Sequence, residues 1–280
     1  MDSGPHIHAM RIDAGADTLY AELISRDMPD PMDEAPETVV FCHGLGGNHA
    51  SWFQQVPHFA RTFRVLTWDQ RGFGNSSDRA GLSSPAQAVA DLRTILQQSG
   101  LGRVHLVGQS MGGWAALGYA VAFPEDVASL VLSDSLGGLS TEASRASLDA
   151  YIQVRATSAA LPPRLGIHPA FAADLTHRDP SRAFLFQQIA SFSTPSPDML
   201  LRLRESEIGI DSVAGLDIPM HFVFGDADHV FPTEAAADVA AQIPGAHLTV
   251  LAHAGHSAYF ERPSQFNAAV MRHLVSRRRG

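Results

Sequence analysis

Short apolar runs separated by polar turns set the pattern at the start of the chain. Ile7 to Ile12 and Thr18 to Ile24 flank Asp13-Ala14-Gly15-Ala16-Asp17, which predicts a β-hairpin. An acidic, proline-containing loop follows from Met28 to Glu37. Beyond it, Thr38 to Cys42, Arg64 to Trp68, Val104 to Val107 and Ser129 to Leu132 are short, almost continuously apolar runs. Strands of a parallel sheet covered on both faces have this pattern. Helix-length stretches lie between them. Ser84 to Gln98 has Ser83 or Ser84 as a cap, Pro85 in its first turn and Gly100 to end it. A second begins at Met111 and runs to Phe123, before Pro124. This order of strand and helix predicts an α/β chain with an open, doubly wound sheet.

The alternation stops after Leu132. From Leu136 to Leu216 the pattern is helical and interrupted by Pro162, Pro163, Pro169, Pro180, Pro195 and Pro197. It reads as a helical insertion over 136–216, with 1–135 and 217–280 forming the core. Strands resume at Pro219 to Phe224 and His247 to Leu251, with helices at Thr233 to Gln242 and from Pro263 to Arg277.

Composition narrows the functions. The 280 residues are 45% hydrophobic and 18% charged, an ordinary globular balance. A formal charge of -9 lacks the electrostatic footprint of a nucleic-acid or anionic-membrane partner. The Arg277-Arg278-Arg279 run reads as a last helical turn complementing the helix dipole. Every basic residue other than histidine is arginine, so Schiff-base and P-loop lysine chemistry are excluded. The single cysteine, Cys42, lies in an apolar run and is expected in the core. Met1 to Arg11 lacks a basic segment followed by an apolar stretch, and no window has the length of a membrane span. A cytoplasmic location is the expectation.

Gly108-Gln109-Ser110-Met111-Gly112 matches G-x-S-x-G, with a predicted strand before it and a predicted helix after it. A sharp strand-to-helix turn brings backbone so close to backbone that glycines are needed on either side, and it lifts the serine hydroxyl above the sheet edge. The helix N-terminus points free N–H groups toward charge developing there. A serine hydroxyl is a weak nucleophile at neutral pH and needs a base held by a third group. His256, after Gly255 in the loop beyond His247 to Leu251, is the candidate base, and His253 the minor alternative. No ligand cluster joins His253 and His256 into a metal site. Asp226, Asp228 and Asp134 are the candidate orienting carboxylates.

The ordered motifs resemble the alpha/beta-hydrolase superfamily, in its serine-nucleophile branch with a helical lid. His43-Gly44-Leu45-Gly46-Gly47 resembles the oxyanion loop, and Trp68 to Ser76 the turn after the next strand. Gly225 to Pro232 resembles the acid loop. Gly255-His256-Ser257 with Phe260-Glu261-Arg262-Pro263 resembles the histidine loop. The resemblance implies a mostly parallel eight-stranded sheet with helices on both faces. Its G-x-x-D-x-x-x-P spacing favours Asp228, with Asp226 bracing the loop. Asp134 is the alternative, since some relatives carry the acid after the strand preceding the lid. The backbone N–H groups of Leu45 and Met111 are the expected oxyanion donors. Asp69, Arg71 and His43 are expected to brace turns by local hydrogen bonds, and Trp52, Trp68 and Trp114 to be core aromatics.

Serine at 110 argues against the epoxide- and halide-processing relatives, which use aspartate there. Carboxylesterases and meta-cleavage-product hydrolases remain, so the expected reaction is acyl transfer on a small ester or lactone. Carbon–carbon cleavage of a dicarbonyl compound is the alternative; Gln109 departs from the asparagine frequent in those enzymes. A non-catalytic small-molecule receptor on the same fold is the alternative of another class. The expected partner is a small-molecule substrate, with no metal or organic cofactor required. Oligomeric state is not legible in one chain.

Overall fold

The apolar runs form one sheet in the computed structural model, which describes residues 4–26, 36–158 and 171–276. Its strands are β1 (His6–Ala14), β2 (Asp17–Ser25), β3 (Thr38–Cys42), β4 (Arg64–Asp69), β5 (Val104–Gln109), β6 (Val127–Ser133), β7 (Met220–Gly225) and β8 (His247–Leu251). They lie in the order β1-β2-β4-β3-β5-β6-β7-β8. β1 and β2 form the predicted hairpin, with Gly15 at φ +79° in its turn, and β2 joins β4 antiparallel. All later neighbours are parallel. The central strands β3 and β5 are wholly buried, which is why their sequences show no polar face.

Alternate residues of each strand feed separate cores on the two faces. Val40, Cys42, Leu66, Leu106 and Leu132 face α2 (Pro85–Gln98), α3 (Met111–Ala122) and α9 (Thr233–Ala241). Val39, Phe41, Val65, Val107 and Val131 face α1 (Val56–Phe59), α10 (Ala258–Glu261) and α11 (Pro263–Ser276). The cap of α2 is Ser84, whose hydroxyl accepts from Gln87 N at 3.2 Å. The short helices α1 and α10, and a 3-10 turn at His49–Trp52, have too few residues to carry a readable period.

Between β6 and β7 the chain builds α4 (Glu142–Ser158), α5 (Leu175–Arg178), α6 (Pro180–Ala190), α7 (Met199–Glu205) and α8 (Asp211–Ala214). Thr141 and Ser144 cap α4 reciprocally, each hydroxyl accepting the other residue's N–H. A parallel bridge between Leu139 and Ile208 brings the two ends of this segment together. α4 packs against α7 and reaches α9, while α6 rests on the 3-10 turn. Most of the expected loop Met28 to Glu37, Pro162, Pro163, Pro169 and the arginines at 277–279 lie outside the described residues. No helix among the described residues is long and apolar enough to cross a membrane.

Candidate active site

Ser110 lies between β5 and α3, as the N-cap of α3, at φ +48° and ψ −120°, a conformation that non-glycine residues adopt only under strain. The surroundings enforce it. A Cβ on Gly112 would sit 2.1 Å from the Cys42 carbonyl oxygen, and one on Gly108 would sit 2.6 Å from the Gly112 carbonyl oxygen. The G-x-S-x-G glycines thus answer to close backbone approach. The turn is pinned by hydrogen bonds to the chain leaving β6. Ser110 N donates to the Ser133 carbonyl at 3.0 Å, and Ser135 Oγ donates to the Ser110 carbonyl at 2.7 Å.

One hydrogen-bonded line runs from Ser110 through His256 to Asp228. Ser110 Oγ lies 2.7 Å from His256 Nε2, and His256 Nδ1 lies 2.9 Å from Asp228 Oδ2. Asp228 Oδ1 in turn accepts from Val230 N at 2.7 Å and Phe231 N at 3.0 Å, so the acid loop fixes its own carboxylate. Burial works to lower the His256 pKa, but the charge and hydrogen bond of Asp228, with Asp134 and Glu261 beyond, outweigh it and raise the imidazole above its ordinary value. His253 is exposed, and its carbonyl, not its ring, is used, accepting from Arg178 and Arg262.

Asp134 is also fully buried, but it serves the backbone. It accepts from Gly225 N at 2.9 Å, Ala258 N at 3.0 Å and Ser133 Oγ at 3.0 Å, joining the ends of β6 and β7 to α10. Burial, then the Asp228 charge, pushes its pKa up to about 8 despite those donors. Two carboxylates therefore stand at the site with different surroundings. Asp226 accepts from Ala254 N at 3.3 Å, bracing the loop as expected.

Gly44 abuts the elbow, since a Cβ there would lie 3.0 Å from Ser110 Cβ, and this places Leu45 at the pocket mouth. Met111, at the first position of α3, has an N–H with no intrahelical acceptor. His43 orients the glycine loop: its Nδ1 is 2.9 Å from the Gly44 carbonyl and its Nε2 accepts from Gln70 N at 3.0 Å. Burial lowers its pKa, in keeping with a neutral ring that accepts at Nε2. Gln109 links two of the loops, donating to the His256 carbonyl at 2.8 Å while its Oε1 fills the space beside Gly44. Asp69 does brace locally, through Asn75 N at 2.7 Å, and it also holds His49 Nδ1 at 2.8 Å. Arg71 departs from expectation. It reaches Asp91 of α2 in a bidentate pair at 2.7 and 2.9 Å and Asp17 of β2 at 2.6 Å, so its bracing is long-range.

A cavity open to solvent, about 490 Å³ with the solvent at its mouth included, lies over Ser110 and His256. Its walls are mostly apolar: Leu45, Trp114, Val230 and Phe231 come from the core, and Leu148, Tyr151, Phe186, Leu200 and Leu203 from the inserted helices. Trp114 belongs to the core, as do Trp52 and Trp68, and it alone of the three also lines this cavity. Its spacing four residues after Ser110 on a helix was the available signal. Tyr151, whose ring centroid is 6.5 Å from that of His256, gave none. Glu261 fastens the inserted segment to the histidine loop: its carboxylate accepts from Gly255 N at 2.8 Å and Ala172 N at 3.2 Å and pairs with Arg178 at 3.4 Å. Burial pushes Glu261 up to about 7.

Residues 37–159 match a family model described as the alpha/beta hydrolase fold. The chain is 28% identical over 250 residues to the dihydrolipoyllysine-residue acetyltransferase component of the acetoin cleaving system of Cupriavidus necator, covering 85% of itself but only 63% of that relative. It is 29% identical over 277 residues to "Putative carbamate hydrolase RutD" of Stutzerimonas stutzeri, covering 92% of itself and 97% of the relative. Among solved structures, it is similar to a thermophilic esterase from Thermogutta terrifontis, with a TM-score of 0.76, 22% identity and coverage of 96% and 99%. It is similar also to the 2-hydroxy-6-oxo-6-phenylhexa-2,4-dienoate hydrolase of Rhodococcus sp. strain RHA1, with a TM-score of 0.72, 22% identity and coverage of 96% and 99%.

Proposed function

Since the chain belongs to the alpha/beta-hydrolase superfamily and is a hydrolase, we propose that it cleaves uncharged carboxylic esters or lactones by acyl transfer through Ser110. The observation that carries this reading is the line Ser110 Oγ, His256 Nε2, His256 Nδ1, Asp228 Oδ2, ending at an apolar cavity. Ser110 Oγ attacks the carbonyl carbon and its proton passes to His256 Nε2, while the carbonyl electron pair moves to oxygen. The backbone N–H groups of Leu45 and Met111 receive that oxyanion, each worth about 3 kcal/mol by analogy with removed donors. The alkoxide then leaves with the proton from His256. Water repeats the cycle on the acyl-serine, with His256 as its base, and releases the acid. Asp228 holds the imidazole in the tautomer with its proton on Nδ1.

The cavity supports a neutral substrate. No arginine is among the residues that line it, and the imidazole of His256 is already engaged by Ser110 and Asp228, so the lining is suited to a neutral group. A dienoate of the kind named for the Rhodococcus hydrolase carries such a carboxylate, which favours esters and lactones over carbon–carbon cleavage. Parallel turnover assays of neutral esters, lactones and vinylogous dicarbonyls, with wild type and Ser110→Ala, test the proposal, together with fluorophosphonate labelling of Ser110. Ester or lactone turnover and labelling are expected for wild type alone. Near-wild-type turnover by a natively folded Ser110→Ala protein would remove Ser110 as nucleophile, and preferred turnover of the dicarbonyls would remove the substrate class.

A further inference from the structure

The loop that carries His256 is held from two sides. From the core, Gln109 Nε2 donates to the His256 carbonyl at 2.8 Å, and Asp134 accepts from Ala258 N at 3.0 Å. From the other side it is held at Glu261, the last residue of α10, whose N–H donates to the Ser257 carbonyl at 2.9 Å. The Glu261 side chain folds back along the chain, and its Oε1 accepts from Gly255 N at 2.8 Å, closing a ring around His256. Ala172 N donates to both carboxylate oxygens at 3.2 Å, and Arg178 Nη2 lies 3.4 Å from Oε2. A carboxylate as enclosed as this one is costly to bury, and these charge-assisted bonds offset the cost. Two of its donors come from the inserted segment and one from the residue before the base.

Gly255 shows how tightly the two segments meet. Its φ lies outside the left-handed region, so backbone conformation does not require a glycine there. Space does. A Cβ at 255 would lie 2.9 Å from Phe171 Cα, and closer still to the Phe171 carbonyl carbon and Ala172 N. The backbone before His256 therefore meets the backbone of the inserted segment with no side chain between. Further contacts fasten the same pair. Arg178 Nη1 donates to the His253 carbonyl at 3.2 Å, Arg182 Nη1 donates to the Glu261 carbonyl at 3.0 Å, and the rings of Phe171 and Phe186 pack on Phe260. All of these links land between His253 and Glu261, the stretch that carries the base.

We propose that Glu261 is a positioning residue for the catalytic base: through Gly255 and Ala172 it makes the docked segment 171–182 part of the frame that keeps His256 in line with Ser110. The proposal rests on the Ser110 acyl-transfer reading, in which His256 Nε2 must stay within reach of Ser110 Oγ, 2.7 Å away. Glu261 touches no reacting atom and acts through the backbone on either side of His256. A misplacement of the base by about 1 Å costs about 100-fold in rate. At this edge the inserted segment supports the chemistry as well as covering the cavity.

The test assays Glu261→Gln, Ala172→Pro and Arg178→Met in the full chain on p-nitrophenyl acetate, each variant checked by circular dichroism. Glu261→Gln keeps the volume but turns an amide donor toward N–H groups. Ala172→Pro removes the donor on the inserted segment and leaves Glu261 itself unchanged. Arg178→Met removes the ion pair and carries the test should the other two fail to fold. In the first two, kcat is expected to fall about 10- to 100-fold with KM within about threefold of wild type, and in Arg178→Met about fivefold. The downfield proton NMR resonance of His256 Nδ1–H, bonded to Asp228, is expected to shift or broaden in all three. Folded variants with kcat within about twofold of wild type, or a lowered kcat with an unmoved His256 resonance, would overturn the positioning role. A rise in KM alone would overturn it too, assigning the segment to substrate binding. Ser110→Ala assayed alongside separates the two readings: its retained turnover would overturn the acyl-transfer mechanism, whereas the His256 resonance reports on Glu261 without any turnover.

Discussion

The loops at the C-terminal edge of the sheet and the helices inserted after β6 face each other across the same cavity, yet they are built by different rules. The loop side is held by directional bonds: the elbow, the acid loop and the histidine loop are cross-tied by Ser135, Asp134, Gln109 and Glu261 to backbone groups, those of Asp134 and Gln109 lying 91 to 147 residues away in sequence. The helical side contributes mainly apolar side chains, and it also leaves Val154, Phe184, Leu185, Phe192 and Leu201 exposed to solvent. A side whose pocket-facing polar groups are fixed by hydrogen bonds can hold reacting atoms to fractions of an ångström. The apolar side chains that the helices turn to the pocket meet a substrate by packing, although the helices themselves are tied to the core at Ala172, Ile189 and Ser206. Chemistry is thus expected to reside on the first and selectivity on the second.

Substitutions can break this contrast. The largest effect is expected at Ser110: Ser110→Ala lowers kcat about 10⁵- to 10⁶-fold on a neutral ester, with an unchanged circular dichroism spectrum. Next comes the division between the two buried carboxylates. Asp228→Asn is expected to cost about 10⁴-fold through the wrong imidazole tautomer. Asp134→Asn puts an amide donor near donors, so it lowers thermal stability but leaves kcat within about tenfold of wild type. Equal losses of kcat at both positions would mean that Asp134 shares the work of orienting His256.

Arg71→Met is expected to lower the unfolding free energy by about 3–5 kcal/mol in urea titration, because it strands Asp17 and Asp91 in the core. Its kcat at 25 °C should change little, since it touches no reacting group. The pH profile comes next. His256 must be neutral to accept the serine proton, and its pKa is raised, so kcat/KM falls about tenfold per pH unit on the acid side of a midpoint above that of an ordinary imidazole. A midpoint at or below the ordinary value would contradict the Asp228 pairing. The smallest effect is expected in the turn after α6: Phe192→Ser, 72% exposed, should change stability by no more than about 0.5 kcal/mol and leave kcat/KM for a short ester unaltered.

Much of this molecule was readable in the sequence because its signals are local. β3 matches its predicted span at both ends, and α3 begins where the G-x-S-x-G motif requires, since burial on both faces and a strand-to-helix turn each leave a mark within a few residues. The meeting of Ser110, Asp228 and His256 followed from the order of motifs along parallel strands whose C-terminal ends share one edge. Other features left no such mark. Arg71 was read as a local brace, although its partners Asp17 and Asp91 lie on a distant strand and helix. Trp114 is core as its sequence suggests, but that it also lines the cavity left no mark, because an apolar residue on a buried helix looks the same whether it faces a leucine or a cavity. Tyr151 lies in a helix whose orientation no periodicity could supply.

By itself, then, the sequence determined the order of strands and helices, the glycines that let backbone meet backbone at 108 and 112, and the identity of the groups able to do the chemistry. Only the tertiary structure showed which of Asp134 and Asp228 meets the imidazole, and it is Asp228, the one the acid-loop spacing favours. Both are buried acids at strand ends, and what separates them is which donor each carboxylate meets, backbone N–H groups for one and the imidazole for the other. The shape of the cavity was decided there too, because it depends on how separately encoded helices settle against one another.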